Sequence, residues 1–239
     1  MTWPKAVEYT RPFVVKISTP RGTGTGFLLY RLEGSDLYGI ATAAHVIDHA
    51  HYWEQPIRFH HPNSQTSVLV RHEERAIFLD EQRDTAVILH SIGSKDFPLP
   101  AKPPILAPEK KCLKVGNEVG WLGFPAVSSS NLCFFSGRTS CFISKDHAYL
   151  IDGVAINGVS GGPTFHLNQP TQDVLIIGVV SAYIANRATG ETLPGLSVVQ
   201  DVSHFQELLA KFQSIAEAKK NEAPPQKPPP NPEGKDATP

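Results

Sequence analysis

Gly158-Val159-Ser160-Gly161-Gly162-Pro163 places a serine among three glycines near the C-terminal end of this chain. Glycine forfeits backbone entropy inside a helix or strand, so the stretch suits a tight turn in which N–H groups converge on one point. With Ser160 as a nucleophile, the N–H groups of Gly158 and Ser160 form an oxyanion hole, stabilising charge that develops on a substrate carbonyl. The plain alternative is a glycine-rich hairpin with an incidental serine. The two readings separate only on what else the chain supplies.

An activated serine needs a base within hydrogen-bond reach, and that base needs an orienting group. Ten histidines make any one of them uninformative by itself. His45 stands out by position, because it follows an apolar strand and the small residues Ala43 and Ala44 and is presented where that strand ends. Asp84 immediately precedes the apolar run Thr85-Ala86-Val87-Ile88-Leu89, a place for a fixed carboxylate.

Composition narrows the classes open to the chain. Its 239 residues allow one large all-β domain or two small ones, and 41% apolar with 19% charged residues is an ordinary globular balance. A net charge of -1 and a pI near 6.8 ask for neither nucleic acid nor an anionic membrane. The start, Met1-Thr2-Trp3-Pro4-Lys5, lacks a cationic stretch followed by an apolar run, so no secretory signal is expected. No apolar run approaches the roughly 20 residues of a membrane-spanning helix. Three cysteines (Cys112, Cys133, Cys141) leave one unpaired in any arrangement, which favours free thiols and a cytoplasmic setting. They read as small apolar residues, and no cofactor is expected. His49, His51, His60, His61 and His72 cluster in sequence but lack a ligand spacing, so they read as solvated loop histidines rather than a metal site.

Along the chain, strand candidates lie at 13–18, 27–30, 37–44, 68–70, 76–79 and 85–89, with a turn over 19–26. The proline-rich stretch Phe97-Pro98-Leu99-Pro100-Ala101-Lys102-Pro103-Pro104 is extended and reads as a crossing between halves. Further strand candidates lie at 117–124, 132–135, 139–144, 149–151, 174–181 and 196–199. Val202, Phe205, Leu208, Leu209, Phe212 and Ile215 recur at helical spacing, with Ser203 as N-cap. Many short strands and one late helix indicate an all-β sandwich or barrel. The expected organisation is an N-terminal unit over 1–96, a crossing over 97–111, a C-terminal unit over 112–200, a helix over 201–220 and a disordered proline-rich tail over 221–239. His45 and Asp84 fall before the crossing and Ser160 after it.

Thr42-Ala43-Ala44-His45-Val46-Ile47, Asp84-Thr85-Ala86-Val87-Ile88, the Ser160 stretch and Ile177-Gly178-Val179-Val180-Ser181 together resemble the trypsin-like (chymotrypsin-fold) serine peptidases. Within that group the chain is most similar to the bacterial HtrA/Deg-type branch, through Gly24-Thr25-Gly26-Phe27-Leu28 and Asp152, eight residues before Ser160. The resemblance covers roughly 13–200. It implies two six-stranded antiparallel β-barrels with the site between them. Ser160 would attack the scissile carbonyl, His45 would act as general base and then acid, and Asp84 would orient the imidazole. Gly158 and Ser160 would supply the oxyanion hole, and Ser181-Ala182-Tyr183 would pair with the backbone of a protein or peptide substrate.

Departures from the pattern carry their own expectations. Val159 stands where secreted trypsins have an Asp that pairs with a cleaved N-terminus, so activation of that kind is not expected. Val154, at the base of the specificity pocket in that family, is not acidic, and Ala155 lies beside it. Tyr183 would narrow the pocket mouth. Together these imply cleavage after small or medium apolar residues. Substrate delivery by a PDZ-like domain is not expected from this chain. The contrasting reading is a regulated or catalytically silent module that binds a partner protein through the C-terminal tail, and an esterase sharing the triad is a third.

Overall fold

The computed structural model describes residues 1–32, 36–91, 97–109, 112–186 and 193–221. The expected proline-rich tail, apart from Asn221, lies outside the described residues.

The first half builds seven strands: β1 (Val14–Thr19), β2 (Gly22–Arg31), β3 (Leu37–Thr42), β4 (Ile57–His60), β5 (Ser67–Val70), β6 (Arg75–Asp80) and β7 (Thr85–Ser91). They pair antiparallel in the order β5-β4-β1-β2-β3-β7-β6. Among the described residues this half is thus a curled, half-barrel sheet of seven strands. The unforeseen strand is β4, in which Ile57 and Phe59 are buried while Arg58 and His60 face outward. That polar half of the alternation hides it in a reading for apolar runs. The stretch 22–26 is strand rather than turn, its glycines tolerated where β2 pairs closely with β1.

Strand β2 explains how the halves share a core. Successive side chains alternate across a strand, so Leu28 enters a cluster with Ile17, Ile40, Phe59 and Ile88 inside the first half. Phe27 and Leu29 point the other way, into a second cluster with Trp121, Phe124, Phe165 and Ile176.

The second half comprises β8 (Glu118–Gly123), β9 (Cys133–Ile143), β10 (Ala148–Asp152), β11 (Pro163–Asn168), β12 (Asp173–Asn186) and β13 (Leu193–Asp201). These close into a barrel in the order β10-β13-β12-β11-β8-β9. β11 opens at Pro163, where the missing N–H costs no interior ladder bond. Beyond the prolines of the crossing, Ile105 to Ala107 bond to Ile176 of β12, with Ile176 N–H to Ile105 O and Ala107 N–H to Ile176 O both at 2.8 Å.

Three α-helices lie among the described residues: α1 (Trp3–Thr10), α2 (Ala44–Tyr52) and α3 (Ser203–Asn221). The two terminal helices cross over. In α1, Trp3 lies 5.6 Å from Phe134 and 5.9 Å from Phe165 between ring centroids, so the N-terminal helix packs on the C-terminal barrel. In α3, Phe212 reaches Tyr30 and Phe78 at 5.5 and 5.0 Å, tying the last helix to the first sheet. Its expected cap is displaced. Ser203 is the first helical residue and its hydroxyl has no partner among the described residues, whereas Asp201 Oδ1 accepts the Ser203 N–H at 2.8 Å.

The reading of the clustered histidines as solvated loop residues is corrected twice over: His49 and His51 lie in α2 and His60 on β4, and the exception in exposure is His61. It is fully buried, with Nε2 bonded to Pro12 O at 2.8 Å. His90 on β7 is buried too, stacked on Phe59 at 4.7 Å, and neither ring nitrogen has a partner among the described residues. Burial pulls its pKa from 6.5 to about 4. The unfolded chain therefore binds a proton near pH 6.5 that the folded chain refuses until about pH 4. This contribution leaves stability flat above about pH 7 and lowers it as the pH falls from 6.5 towards 4, by on the order of 3 kcal/mol in all. Thermal unfolding across that window should show the loss, and His90→Leu should flatten it.

The three cysteines are unpaired. Among the described residues, no helix is long and apolar enough to cross a membrane.

Candidate active site

His45 is carried in the first turn of α2 rather than at a strand end. Ala43, at the helix N-cap, has no side chain to satisfy the first N–H groups. Asp84 does this from the turn before β7, the strand paired with β3: its Oδ1 accepts the His45 backbone N–H at 3.0 Å, placing a negative charge at the positive end of α2. The same carboxylate receives His45 Nδ1, at 3.0 Å from Oδ1 and 2.9 Å from Oδ2. Asp84 itself adopts a left-handed backbone conformation, φ +48°, at the end of the turn before β7, which Asp tolerates better than most residues. Ser181 Oγ donates to Oδ2 at 2.5 Å, completing the ring of donors around the carboxylate.

The charges follow from this geometry. Hydrogen bonding to Asp84, aided by the attraction of its charge and of Asp48, raises the His45 pKa above its ordinary 6.5 against the opposing pull of burial. Burial pushes Asp84 upward, but hydrogen bonds from His45 and Ser181 and the His45 charge outweigh it, leaving Asp84 below the usual carboxylate value. With Nδ1–H donated to the carboxylate, neutral His45 presents a bare Nε2.

Ser160 lines the same cavity as His45, a space of about 460 Å³ walled also by Thr19, Arg21, Asp48, Ala126 and Gly158. The structure brings the expected base, carboxylate and serine into one site, but no hydrogen bond joins Ser160 to His45 among the described residues. The Ser160 hydroxyl instead donates to Ser181 O at 3.4 Å.

The turn holding Ser160 is tightly determined. Gly158 has φ +91°, and a Cβ there would lie 2.3 Å from Phe124 O. Gly161 has φ +87°, and its Cβ would fall 2.0 Å from Thr25 O. Neither position admits another residue without moving backbone. Asn157 O accepts the Ala126 N–H at 2.7 Å, which turns the other end of that planar trans peptide, the Gly158 N–H, in the opposite direction. Neither the Gly158 nor the Ser160 N–H has an acceptor among the described residues. Val159 is fully buried, packed against Gly123. Burying such a side chain is worth about 1.5–3 kcal/mol, an apolar anchor where an ion pair with a chain terminus is not expected.

Specificity residues are less unified. Val154 is 45% exposed, Ala155 is buried, and neither lines the cavity that holds Ser160. Ser181, expected only to pair with substrate, is buried and tied to Asp84, while Ala182 is exposed. The Tyr183 side chain lies outside the described residues. Asp152 ends β10 and takes no part in the site. Sequence reading overlooked Ser181 as a partner of Asp84 and Ala126 as a partner of Asn157. A hydroxyl after the strongest strand signal was the only cue to the first. The second is a backbone contact with no side-chain signature.

No protein-family model matches the chain, and no curated protein matches it by sequence. Solved structures do. The Rv3671c protease from M. tuberculosis in its inactive form aligns at 23% identity with TM-score 0.60, covering 86% of this chain and 91% of that one. Deg5 aligns at 20% identity with TM-score 0.62, covering 85% and 90%. The serine endoprotease from Yersinia pestis aligns at 18% identity with TM-score 0.63, covering 88% and 66%. The fold is chymotrypsin-like. At these identities the likeness speaks for architecture, and the chemistry rests on the site described above.

Proposed function

We propose that the chain is a serine endopeptidase working through Ser160, His45 and Asp84 by an acyl-enzyme. One observation carries this reading: a histidine hydrogen-bonded to a half-buried carboxylate shares a cavity with a serine held in a doubly glycine-constrained turn. Ser160 Oγ swings from Ser181 O to His45 Nε2 once substrate is bound, since catalytic hydrogen bonds often tighten only in the complex. As Oγ attacks the carbonyl carbon, its proton passes to Nε2, and the imidazolium is held by Asp84. The oxyanion is received by the unengaged N–H groups of Gly158 and Ser160. The imidazolium then protonates the leaving amine, and water repeats the cycle to release the acid.

Cleavage after small or medium apolar residues such as Val, Ala and Leu is proposed from the family resemblance alone, since Val154 and Ala155 do not line the cavity that holds Ser160. Digestion of a mixed peptide library tests this. Cuts should cluster after those residues and vanish in Ser160→Ala; efficient cutting after Arg or Lys, or none by the wild type, contradicts it.

The pH dependence has a definite sign. Only neutral imidazole accepts the serine proton, so activity is lost as pH falls through the His45 pKa. Because Asp84 raises that pKa, the midpoint of kcat/KM should lie above 6.5, the ordinary imidazole value, with a plateau on the alkaline side. A kcat/KM profile between pH 5 and 9 checks it.

The Ser160 hydroxyl resting on Ser181 O favours a second reading, in which the fold is a regulated or silent module ordered by a partner protein. The library digestion separates the two, since a silent module cuts nothing.

A further inference from the structure

Thr25, on β2 of the first sheet, sends its N–H and its hydroxyl to the second half of the chain. It is fully buried. Its backbone N–H donates to Ser160 O at 2.8 Å. Its hydroxyl donates to Gly158 O at 2.8 Å and accepts the Phe124 N–H at 3.0 Å. Its own carbonyl accepts from Thr42 Oγ1 at 2.7 Å and sits against Gly161, where no Cβ fits. One residue thus holds the carbonyls on both sides of Val159 while the barrel holds the rest, through Asn157 O to Ala126 and the Gly161 N–H to Val180 O. Peptide units are planar, so Asn157 O fixes the Gly158 N–H directly, and Val159 O, accepting the Gly162 N–H at 2.9 Å, fixes the Ser160 N–H. Thr25 holds the peptides on either side of the one that carries the Ser160 N–H, the first of them also adjoining the Gly158 N–H.

We infer that Thr25 is a positioning residue: its hydroxyl sets the backbone of the nucleophile turn so that the Gly158 and Ser160 N–H groups converge where the oxyanion forms. This rests on reading Ser160 as the nucleophile. A hydroxyl is needed because the position requires a donor and an acceptor in one small group, which Ser shares and Val lacks. The alternative, that Thr25 merely fills buried space, makes Val the better substitute, since it keeps the shape.

The test compares Thr25→Val, Thr25→Ser and wild type, first by labelling with a fluorophosphonate and then by peptide hydrolysis. Thr25→Val should lower kcat about 100-fold while KM stays near the wild-type value, as misplacement of a catalytic group does. Thr25→Ser should recover most of that loss. Wild-type kcat in Thr25→Val, or equal losses in the Val and Ser variants, overturns the positioning role and leaves the nucleophile reading standing. A wild type that does not label at Ser160 overturns both. Should Thr25→Val fail to fold, Thr25→Cys carries the test, because its thiol fits but donates weakly. Its kcat should then fall below that of Thr25→Ser, and equality with wild type contradicts the proposal.

Discussion

Ser160→Ala is expected to lower kcat by about six orders of magnitude, with the fold and melting temperature nearly unchanged. The size of the effect follows from cooperation among the three groups. Without Oγ, neither the His45–Asp84 pair nor the Gly158 turn has a covalent step to assist, and only binding and oxyanion stabilisation of attack by water survive. The fold should tolerate the change, because the hydroxyl makes one long bond, 3.4 Å to Ser181 O, and supports nothing else. Residual turnover of a peptide ester by the variant, set against the wild type, measures the difference.

Asp84→Asn is expected to cost about 10⁴ in kcat. Both carboxylate oxygens act as acceptors: Oδ1 for the His45 N–H, Oδ2 for Ser181 Oγ, and both face Nδ1. An amide supplies one acceptor only. The Ser181 hydroxyl can rotate to accept a hydrogen bond, but the backbone N–H of His45 cannot. The amide oxygen therefore stays at Oδ1 and its NH₂ takes the place of Oδ2, beside Nδ1. Donating there, it puts the histidine proton on Nε2, the tautomer that cannot receive a proton from Ser160. The residual activity should also titrate at lower pH, since the hydrogen bond and charge that raise the His45 pKa are gone. Steady-state kinetics across pH read both effects, and an Asp84→Asn enzyme of near wild-type rate would exclude Asp84 from the mechanism.

Much of this architecture was legible from local chemistry. The stretches read as strands at 13–18, 85–89 and 174–181 are rich in β-branched residues and fall within or largely on Val14–Thr19, Thr85–Ser91 and Asp173–Asn186, the last running on past its apolar run. The helix over Ser203–Asn221 follows its apolar spacing, with Val202 and Phe205 buried. Elements that escaped did so for physical reasons. Pro163–Asn168 begins with a proline and an inward Thr164, so it lacks an apolar signature, yet barrel closure makes it a strand. Ala44–Tyr52 carries three histidines and an aspartate over nine residues; its stability comes from Ile47 and Ala50 in the core and from Asp84 at its N-terminus, a contact 39 residues away in sequence. His45, Asp84 and Ser160 could be put forward as candidates because each sits in a short distinctive stretch. The ligands of Asp84 and the clamp of Thr25 on the nucleophile turn could not, because they are long-range contacts that only the folded chain creates.

The site also answers how its turn is shaped. Val159 is an apolar anchor, Asn157 O is pinned by the Ala126 N–H, which turns the Gly158 N–H away from Ala126, and Gly158 takes the positive φ the turn needs. These contacts hold the backbone of the turn, and the Ser160 side chain is the group left to move.

The most direct test is the stoichiometry and position of fluorophosphonate labelling, read by intact mass and peptide mapping at pH 8. One adduct per chain on Ser160, absent from Ser160→Ala and strongly slowed in Asp84→Asn, is the predicted result. No adduct on the wild type, or the same adduct on Ser160→Ala, contradicts the assignment of Ser160 as the nucleophile.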